Sequence, residues 1–238
     1  MSMMIVPAEW LPTKPQPRSG YVAGTAVKRL IDLTLASVGL LFLLPFFAII
    51  AVLIKLDSRG SIVYAQERIG LNRRRGRGRK SQPASDRRKS DAFGRPFTIY
   101  KFRTMITNAE SKTGPVWADA SDFRVTRLGR ILRKTRIDEF PQFWNVIRGD
   151  MSLVGPRPER PSFVQSLAKS IPDYPKRCSA LPGITGLAQV KWKYDTSIET
   201  VSRKLQYDLY YVNHGRLLLD LKIMAATVSV MARGDGAR

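Results

Sequence analysis

Hydrophobic and polar positions fall into three rhythms along this chain, and each predicts a different kind of element. Residues 33–54 are almost wholly apolar and carry no charge over 22 positions, which matches the roughly 20 residues needed to cross a bilayer. A cleavable signal peptide fits less well, because the run is too long and follows a proline-bearing tail, residues 1–27. Alternation then predicts strands over residues 61–68 and 96–105. In the second, Phe97, Ile99, Lys101 and Arg103 share one face, and Thr98, Tyr100, Phe102 and Thr104 share the other. Lys101 and Arg103 are therefore expected to point together. Helical spacing returns at Phe140, Phe143, Trp144 and Ile147, predicting a helix over residues 139–148. Asp138 would be its N-cap, Pro141 is tolerated in the first turn, and Gly149 fits the stop.

Two further helices follow. Residues 198–212 carry Val201, Leu205, Leu209 and Val212 on one face, while residues 217–231 are more apolar but interrupted by Asp220 and Lys222. The last suits an interface or a core. The pattern predicts an α+β, predominantly helical fold: a membrane helix (28–57), a small β-hairpin and amphipathic interface helices in a domain spanning 58–231. Flexible tails are expected at 1–27 and 232–238. No internal repeat is present.

The membrane segment has two complications. Pro45 removes a backbone donor and crowds the carbonyl of Leu41, so the helix should kink or break there. Lys28 and Arg29 precede the segment while Lys55 and Arg59 follow it, and the positive-inside tendency would keep both flanks in the cytoplasm. A helix that enters, bends at Pro45 and leaves by the same face satisfies both facts. An ordinary kinked transmembrane helix is the alternative, since membrane helices tolerate proline.

Charge narrows the partners. The formal net charge is +21, which favours nucleic acid, anionic lipid or phosphorylated small molecules. Residues 73–91 hold nine Lys/Arg against two Asp with interspersed Gly, Ser and Pro, so a basic, disordered insertion is expected over 73–95 in the hairpin loop. A nucleic-acid patch is one reading. Next to a membrane segment, a solvated loop drawn to anionic membrane lipids is the simpler one. Cys178 is the single cysteine and His214 the single histidine, which excludes internal disulfides and Cys/His zinc sites. A metal here would sit on oxygen ligands, as Mg2+ does.

Candidate chemistry centres on Asp138-Glu139, set in Arg133-Lys134-Thr135-Arg136-Ile137-Asp138-Glu139-Phe140-Pro141-Gln142. A helix cap beside a dipole-stabilised glutamate would explain that pair by itself. The cations in neighbouring ordered segments, Lys101, Arg103, Arg133, Arg136 and Arg157, add what phosphoryl transfer needs, namely positioning and neutralisation of phosphate charge with a bridging metal. A carboxylate can also act as a nucleophile. Trp117, Trp144 and Trp192 are read as core or interfacial anchors, Cys178 as structural and His214 as a helix C-cap.

The proline-broken apolar segment, Phe97-Thr98-Ile99-Tyr100-Lys101-Phe102-Arg103-Thr104-Met105, the Asp138-Glu139 segment, Gly149-Asp150-Met151-Ser152-Leu153-Val154-Gly155-Pro156-Arg157-Pro158 and Pro182-Gly183-Ile184-Thr185-Gly186 together closely resemble the bacterial sugar transferases. These are monotopic polyprenyl-phosphate phosphoglycosyl transferases. The resemblance implies transfer of a sugar 1-phosphate from a UDP-sugar to polyprenyl (undecaprenyl) phosphate, initiating exopolysaccharide, O-antigen or other glycan assembly. It implies a re-entrant membrane helix broken at Pro45 and a catalytic domain on the cytoplasmic face of the bacterial inner membrane. Asp138 would be the nucleophile, forming an aspartyl-phosphosugar, with Glu139 a metal-site or proton-handling partner. Asp138 and Glu139 would hold Mg2+, while Lys101, Arg103, Arg133, Arg157, Gln189 and Lys193 would contact substrate phosphates. No specific nucleic acid is expected, and a homodimer is left open. Three departures stand out: Leu44 where relatives often carry Ser, the basic insertion, and Lys191-Trp192-Lys193 where many relatives continue Asn-Gly-Arg. Lys193 offers a point charge in place of a guanidinium fork. Two competing readings are a membrane-anchored nucleic-acid-binding protein and a non-catalytic scaffold relative.

Overall fold

The computed structural model describes residues 26–72, 93–110, 122–191 and 197–233. Most of both predicted tails, residues 73–92 of the basic insertion, Trp117, Trp192 and Lys193 lie outside them. The chain opens with α1 (Ala26–Asp57), 32 residues long and apolar enough to cross a membrane by length and composition. Helical structure continues through Pro45 without interruption. The antiparallel hairpin β1 (Val63–Ile69) and β2 (Pro96–Phe102) follows, with Val63 opposite Phe102 and Ile69 opposite Pro96. Both strands lie within two or three residues of the spans predicted from alternation.

After the hairpin come α2 (Arg127–Lys134), a 3-10 turn over Ile137–Glu139, α3 (Gln142–Arg148) and the short strand β3 (Ser152–Val154). Next are α4 (Pro161–Ser170), a second 3-10 segment over Tyr174–Ser179 and β4 (Gly183–Thr185), which pairs parallel to β3. α5 (Leu187–Lys191), α6 (Ile198–His214) and α7 (Leu217–Ala232) complete the order. The architecture is α+β and predominantly helical, as predicted, with one addition: β3 and β4 are too short for any periodicity to reveal.

Asp138 is not the cap of α3. Pro141 has no N-H to bond the carbonyl of Ile137, so the backbone there closes i+3 bonds instead, from Phe140 N to Ile137 O (3.1 Å) and from Glu139 N to Arg136 O (3.1 Å). α3 therefore starts only after Pro141, and the dyad lies in the tighter turn ahead of it. Arg136 opens that turn at φ 56, a left-handed conformation that costs a non-glycine residue on the order of 1 kcal/mol. The stripe of Phe140, Phe143, Trp144 and Ile147 does not face one core either. Asn145, Val146 and Gln142 are the fully buried residues of α3, while Trp144 is half exposed.

Buried polar bolts hold α1 to the domain. Lys28 pairs with Asp220 of α7 at 2.7 Å and donates to Val154 O; Tyr211 donates to the other oxygen of Asp220 at 2.7 Å. Asp32 accepts from Leu153 N, and Arg29 donates to Val146 O and Ile147 O at the C-terminus of α3, where a cation also meets the negative end of the helix. Two of the flanking charges predicted to orient the segment are thus used inside the protein. Farther along, Ala36 packs with Ile99, Val146 and Met151, and Ile54 with Phe102 and Leu132. The opposite side of α1 exposes Leu35, Val38, Leu41, Phe42, Leu44, Phe46 and Ile49, an apolar face far larger than water-soluble monomers tolerate.

Removing one member of a buried ion pair strands the other. Lys28→Met and Asp220→Asn should each destabilise the detergent-solubilised protein by about 3–5 kcal/mol, and the double variant should recover part of that loss. Chemical unfolding of the three variants checks it; equal, small effects would show that the pair contributes no net anchoring.

Candidate active site

Three separate pieces of chain deliver the site. Asn145, fully buried on α3, donates to Thr98 O (2.7 Å) and accepts from Tyr100 N (3.2 Å), so the backbone of β2 is fixed against α3. That places Lys101 beside the turn carrying the dyad. Gly155 and Gly183 let the loop after β3 cross the approach to β4: a Cβ on Gly155 would lie 2.1 Å from Leu181 O, and one on Gly183 would lie 2.1 Å from Gly155 N. No side chain fits either position. The crossing carries Pro156 and Arg157 toward the dyad, and Arg177, itself paired with Asp208 of α6 at 2.7 Å, holds Arg157 O at 2.9 Å.

The result is asymmetric. Glu139 Oε1 accepts from both Lys101 Nζ and Arg157 Nη2, each at 2.7 Å, with Arg136 Nη1 4.0 Å from Oε2. Burial opposes ionisation of Glu139, but Arg157 and Lys101 outweigh it and hold the carboxyl far below its usual range. Asp138, equally buried, has Lys101 at 4.0 Å and receives no hydrogen bond among the described residues. Burial pushes its carboxyl up to about 6; Lys101 opposes that rise and Glu139 adds to it. Two adjacent carboxyls are thus driven apart, one locked as an anion by hydrogen-bonded cations and one, without a hydrogen bond among the described residues, titrating near neutral pH.

Of the residues expected to bind phosphate, Lys101, Arg133 and Arg157 gather around the dyad. Arg133 stands close enough to favour the Asp138 anion while its Nε donates to Thr104 Oγ1 at 2.9 Å. Arg103 is placed elsewhere: it donates to Ile54 O, Ser58 O and Ser58 Oγ at the end of α1. Alternation put it beside Lys101, but β2 ends at Phe102 and the chain leaves the pleat there. Gln189 lines an apolar groove of about 190 Å³ that reaches Glu139; its Nε2 donates to Ile184 O, and its Oε1 is buried with no partner. Sequence patterns missed Asn145, Arg177 and Asp208, whose roles depend on contacts 20 or more residues away. The strained backbone at Arg136 was also invisible.

Among the described residues no cluster of three or more His, Cys, Asp or Glu could enclose a metal. The dyad oxygens that accept no hydrogen bond among the described residues are those of Asp138 and Glu139 Oε2, each of the two residues having one such oxygen 4.0 Å from a cation. Such a set fits Mg2+, which commonly takes one or two carboxylates and completes its shell from substrate phosphates and water.

A buried carboxylate that accepts no hydrogen bond among the described residues thus stands among several cations, an arrangement with the charge to hold an anionic group beside it. The bacterial sugar transferase family is matched over residues 23–234, and the chain belongs to that family. It is 39% identical over 212 residues to the UDP-N-acetylgalactosamine-undecaprenyl-phosphate N-acetylgalactosaminephosphotransferase of Aeromonas hydrophila, covering 89% of this chain and 45% of that protein. It is 42% identical over 152 residues, 64% of this chain and 73% of the relative, to a putative undecaprenyl-phosphate N-acetylgalactosaminyl 1-phosphate transferase of Bacillus subtilis. It is also 37% identical over 230 residues to the UDP-glucose:undecaprenyl-phosphate glucose-1-phosphate transferase of Caulobacter vibrioides, covering 95% of this chain and 76% of the relative. The chain spans less than half the length of the Aeromonas relative.

The two carboxyls should respond oppositely to neutralisation. Because the folded state raises the Asp138 pKa from about 4 to about 6, its contribution to stability is full below pH 4 and is lost as pH rises through 6. Asp138→Asn should therefore leave the protein as stable or more stable at pH 7, by up to about 3 kcal/mol. Glu139, with its pKa depressed, stabilises the fold above its ordinary range and loses this only in strong acid. Glu139→Gln should cost about 3–5 kcal/mol by stranding Lys101 and Arg157. Unfolding midpoints at pH 7 decide between this and a pair of interchangeable carboxylates, for which both variants would shift alike.

Proposed function

We propose that this protein transfers a sugar 1-phosphate from a UDP-sugar to undecaprenyl phosphate through a covalent intermediate on Asp138. The carrying observation is the asymmetry of the dyad: Asp138 is buried, accepts no hydrogen bond among the described residues and meets Lys101 only at 4.0 Å, while Glu139 is pinned by Lys101 and Arg157 at 2.7 Å. The activities named for the relatives support the reaction class.

In this reading an ionised Asp138 Oδ attacks the phosphorus next to the sugar, and the bond to the bridging diphosphate oxygen breaks, releasing UMP. The phosphate oxygen of the lipid then attacks the same phosphorus. The bond to Asp138 breaks, the carboxylate returns, and a polyprenyl-diphosphate sugar leaves. Neither step requires the aspartate to gain a proton, which suits a group ionised above about pH 6. Arg157 and Lys101 are partly exposed, at 31% and 19% of their side chains, so each can hold Glu139 and meet a phosphate. Glu139 is too acidic to move protons at neutral pH, which favours an organising and metal-holding role. Mg2+ shared with Asp138 and Glu139 would neutralise diphosphate charge. Arg133 balances the developing charge from the α2 side. Arg103 supports the end of α1, and the proposed phosphate set narrows to Lys101, Arg133 and Arg157, with Lys193 kept as the substitute for the Arg that many relatives carry there.

The bolts on α1 support a re-entrant membrane mode. Lys28 at one end and Ile54 and Ser58 at the other touch the same domain, yet a straight helix separates residues 28 and 54 by about 39 Å, more than the ~30 Å hydrocarbon core. A helix dipping into the cytoplasmic leaflet of the inner membrane and bending at Pro45, while staying helical, keeps both ends at one surface. There a soluble UDP-sugar and a lipid phosphate can meet.

A UDP-sugar with radioactive phosphate next to the sugar should label the wild-type protein once per chain without acceptor, and polyprenyl phosphate should convert this to continuous UMP release. Asp138→Asn should lose the label; undiminished labelling would remove Asp138 as nucleophile. The labelling rate should climb as pH rises through about 6 and then level off. A flat profile between pH 5 and 7 would contradict an aspartate that must ionise to react.

A further inference from the structure

The apolar groove beside the dyad has no task in the chemistry above. Phe140 and Phe143 of the α3 region, Leu153 of β3, Ile184 of β4, and Met224 and Val230 of α7 form its walls, and its inner end is closed by Arg136 and Glu139. Most of its polar wall groups are committed: Thr185 and Thr227 bond each other at 2.6 Å and Gln189 Nε2 is held by Ile184 O, which leaves the buried Gln189 Oε1 as a single acceptor without a hydrogen bond among the described residues. Such a lining gives little purchase to a uracil or a sugar, whose polar edges would lose water without replacement. Hydrocarbon suits it, since burial alone is favourable.

The position of the groove identifies the hydrocarbon. One end meets the charged turn at Arg136 and Glu139. Phe143, in its wall, is also the residue that α1 touches at Gly39, where an added Cβ would lie 3.3 Å from the ring. α7, the outer wall, exposes Leu218, Leu221 and Val228 beyond it. The channel thus joins a cation-lined phosphate site to apolar surfaces continuous with the membrane helix. Resting on the function proposed above, we infer that the groove seats the isoprene units nearest the phosphate of the lipid acceptor, with α7 as its wall and the phosphate directed to the dyad. Acceptor chain length is then read by Met224, Val230 and their neighbours, independently of the donor sugar.

The test uses the full chain in detergent or nanodiscs with prenyl phosphates of one to four isoprene units and a UDP-sugar. For the wild type, KM for the acceptor should fall roughly tenfold or more as the first units are added. Val230→Trp, which fills the channel, should raise KM for the longer acceptors toward that of the shortest, with KM for the UDP-sugar little changed. Unaltered chain-length dependence, or a rise confined to the UDP-sugar KM, overturns the assignment. Should this variant fold poorly, a prenyl phosphate bearing a photoreactive diazirine on its first isoprene unit can be crosslinked to the wild-type protein. Adducts within α7 or at Phe143 support the groove, and adducts confined to α1 overturn it. A wild type that turns over no UDP-sugar with any prenyl phosphate sinks the parent function too, whereas normal turnover with a groove-insensitive KM sinks only this inference.

Discussion

Glu139 is the point on which the site depends. Its Oε1 accepts from Lys101 on β2 and from Arg157 on the loop after β3, both at 2.7 Å, so one buried carboxylate joins the hairpin, the 3-10 turn and the β3–β4 crossing. Two cations and one anion would leave a net charge in a low-dielectric pocket, which is unfavourable unless a further anion is close. Asp138 is adjacent and approaches Lys101 only to 4.0 Å. With both carboxylates ionised, Lys101, Arg133, Arg136 and Arg157 still outnumber them, so positive charge remains for a further anion while Asp138 accepts no hydrogen bond among the described residues. The proposed nucleophilic role of Asp138 rests on the firmness of the contacts to its neighbour.

That arrangement needs support behind each cation. Arg157 is held through its carbonyl by Arg177, which is fixed in turn by Asp208, and Lys101 is placed because Asn145 satisfies the edge of β2. The glycine crossing at Gly155 and Gly183 supplies the close approach. Each support is buried and fully bonded, the condition under which polar networks rigidify a site instead of weakening it. The strained backbone at Arg136 belongs to the same logic, because a regular helix through residues 136–141 would rotate the two carboxyls away from their present division of labour.

Long periodic signals were legible in the sequence. The apolar run of α1, the hairpin, α6 and α7 all appear close to where the pattern puts them, since each buries or exposes a continuous face. Elements of three to five residues, such as β3, β4 and α5, leave no period to detect. The dyad and its basic setting were legible by composition, but its geometry was not: Pro141 converts the expected helix start into a 3-10 turn. The misplacement of Arg103 has a related cause, because alternation says which face a side chain leaves from and not where the strand stops. The stripe on α3 met a different limit, as periodicity treats core, groove and membrane helix alike, and Phe143 faces the last two.

The coupling of membrane to chemistry runs through α3. Arg29 binds carbonyls in the last turn of α3, and Gly39 rests on Phe143 in its first turn, where the dyad turn also enters the helix. α1 therefore fixes the helix that carries the site, through contacts made by residues near its N-terminal half. The C-terminal half is held separately, by Phe47 against Phe102 at 5.0 Å and by Arg103 at Ile54 and Ser58. Because two independent sets of contacts grip a helix of 32 residues, tilting it would have to break buried charge-assisted bonds at one end or ring packing at the other. The depth of Asp138 relative to the apolar face of α1 is consequently a property of the rigid domain and not of the lipid around it.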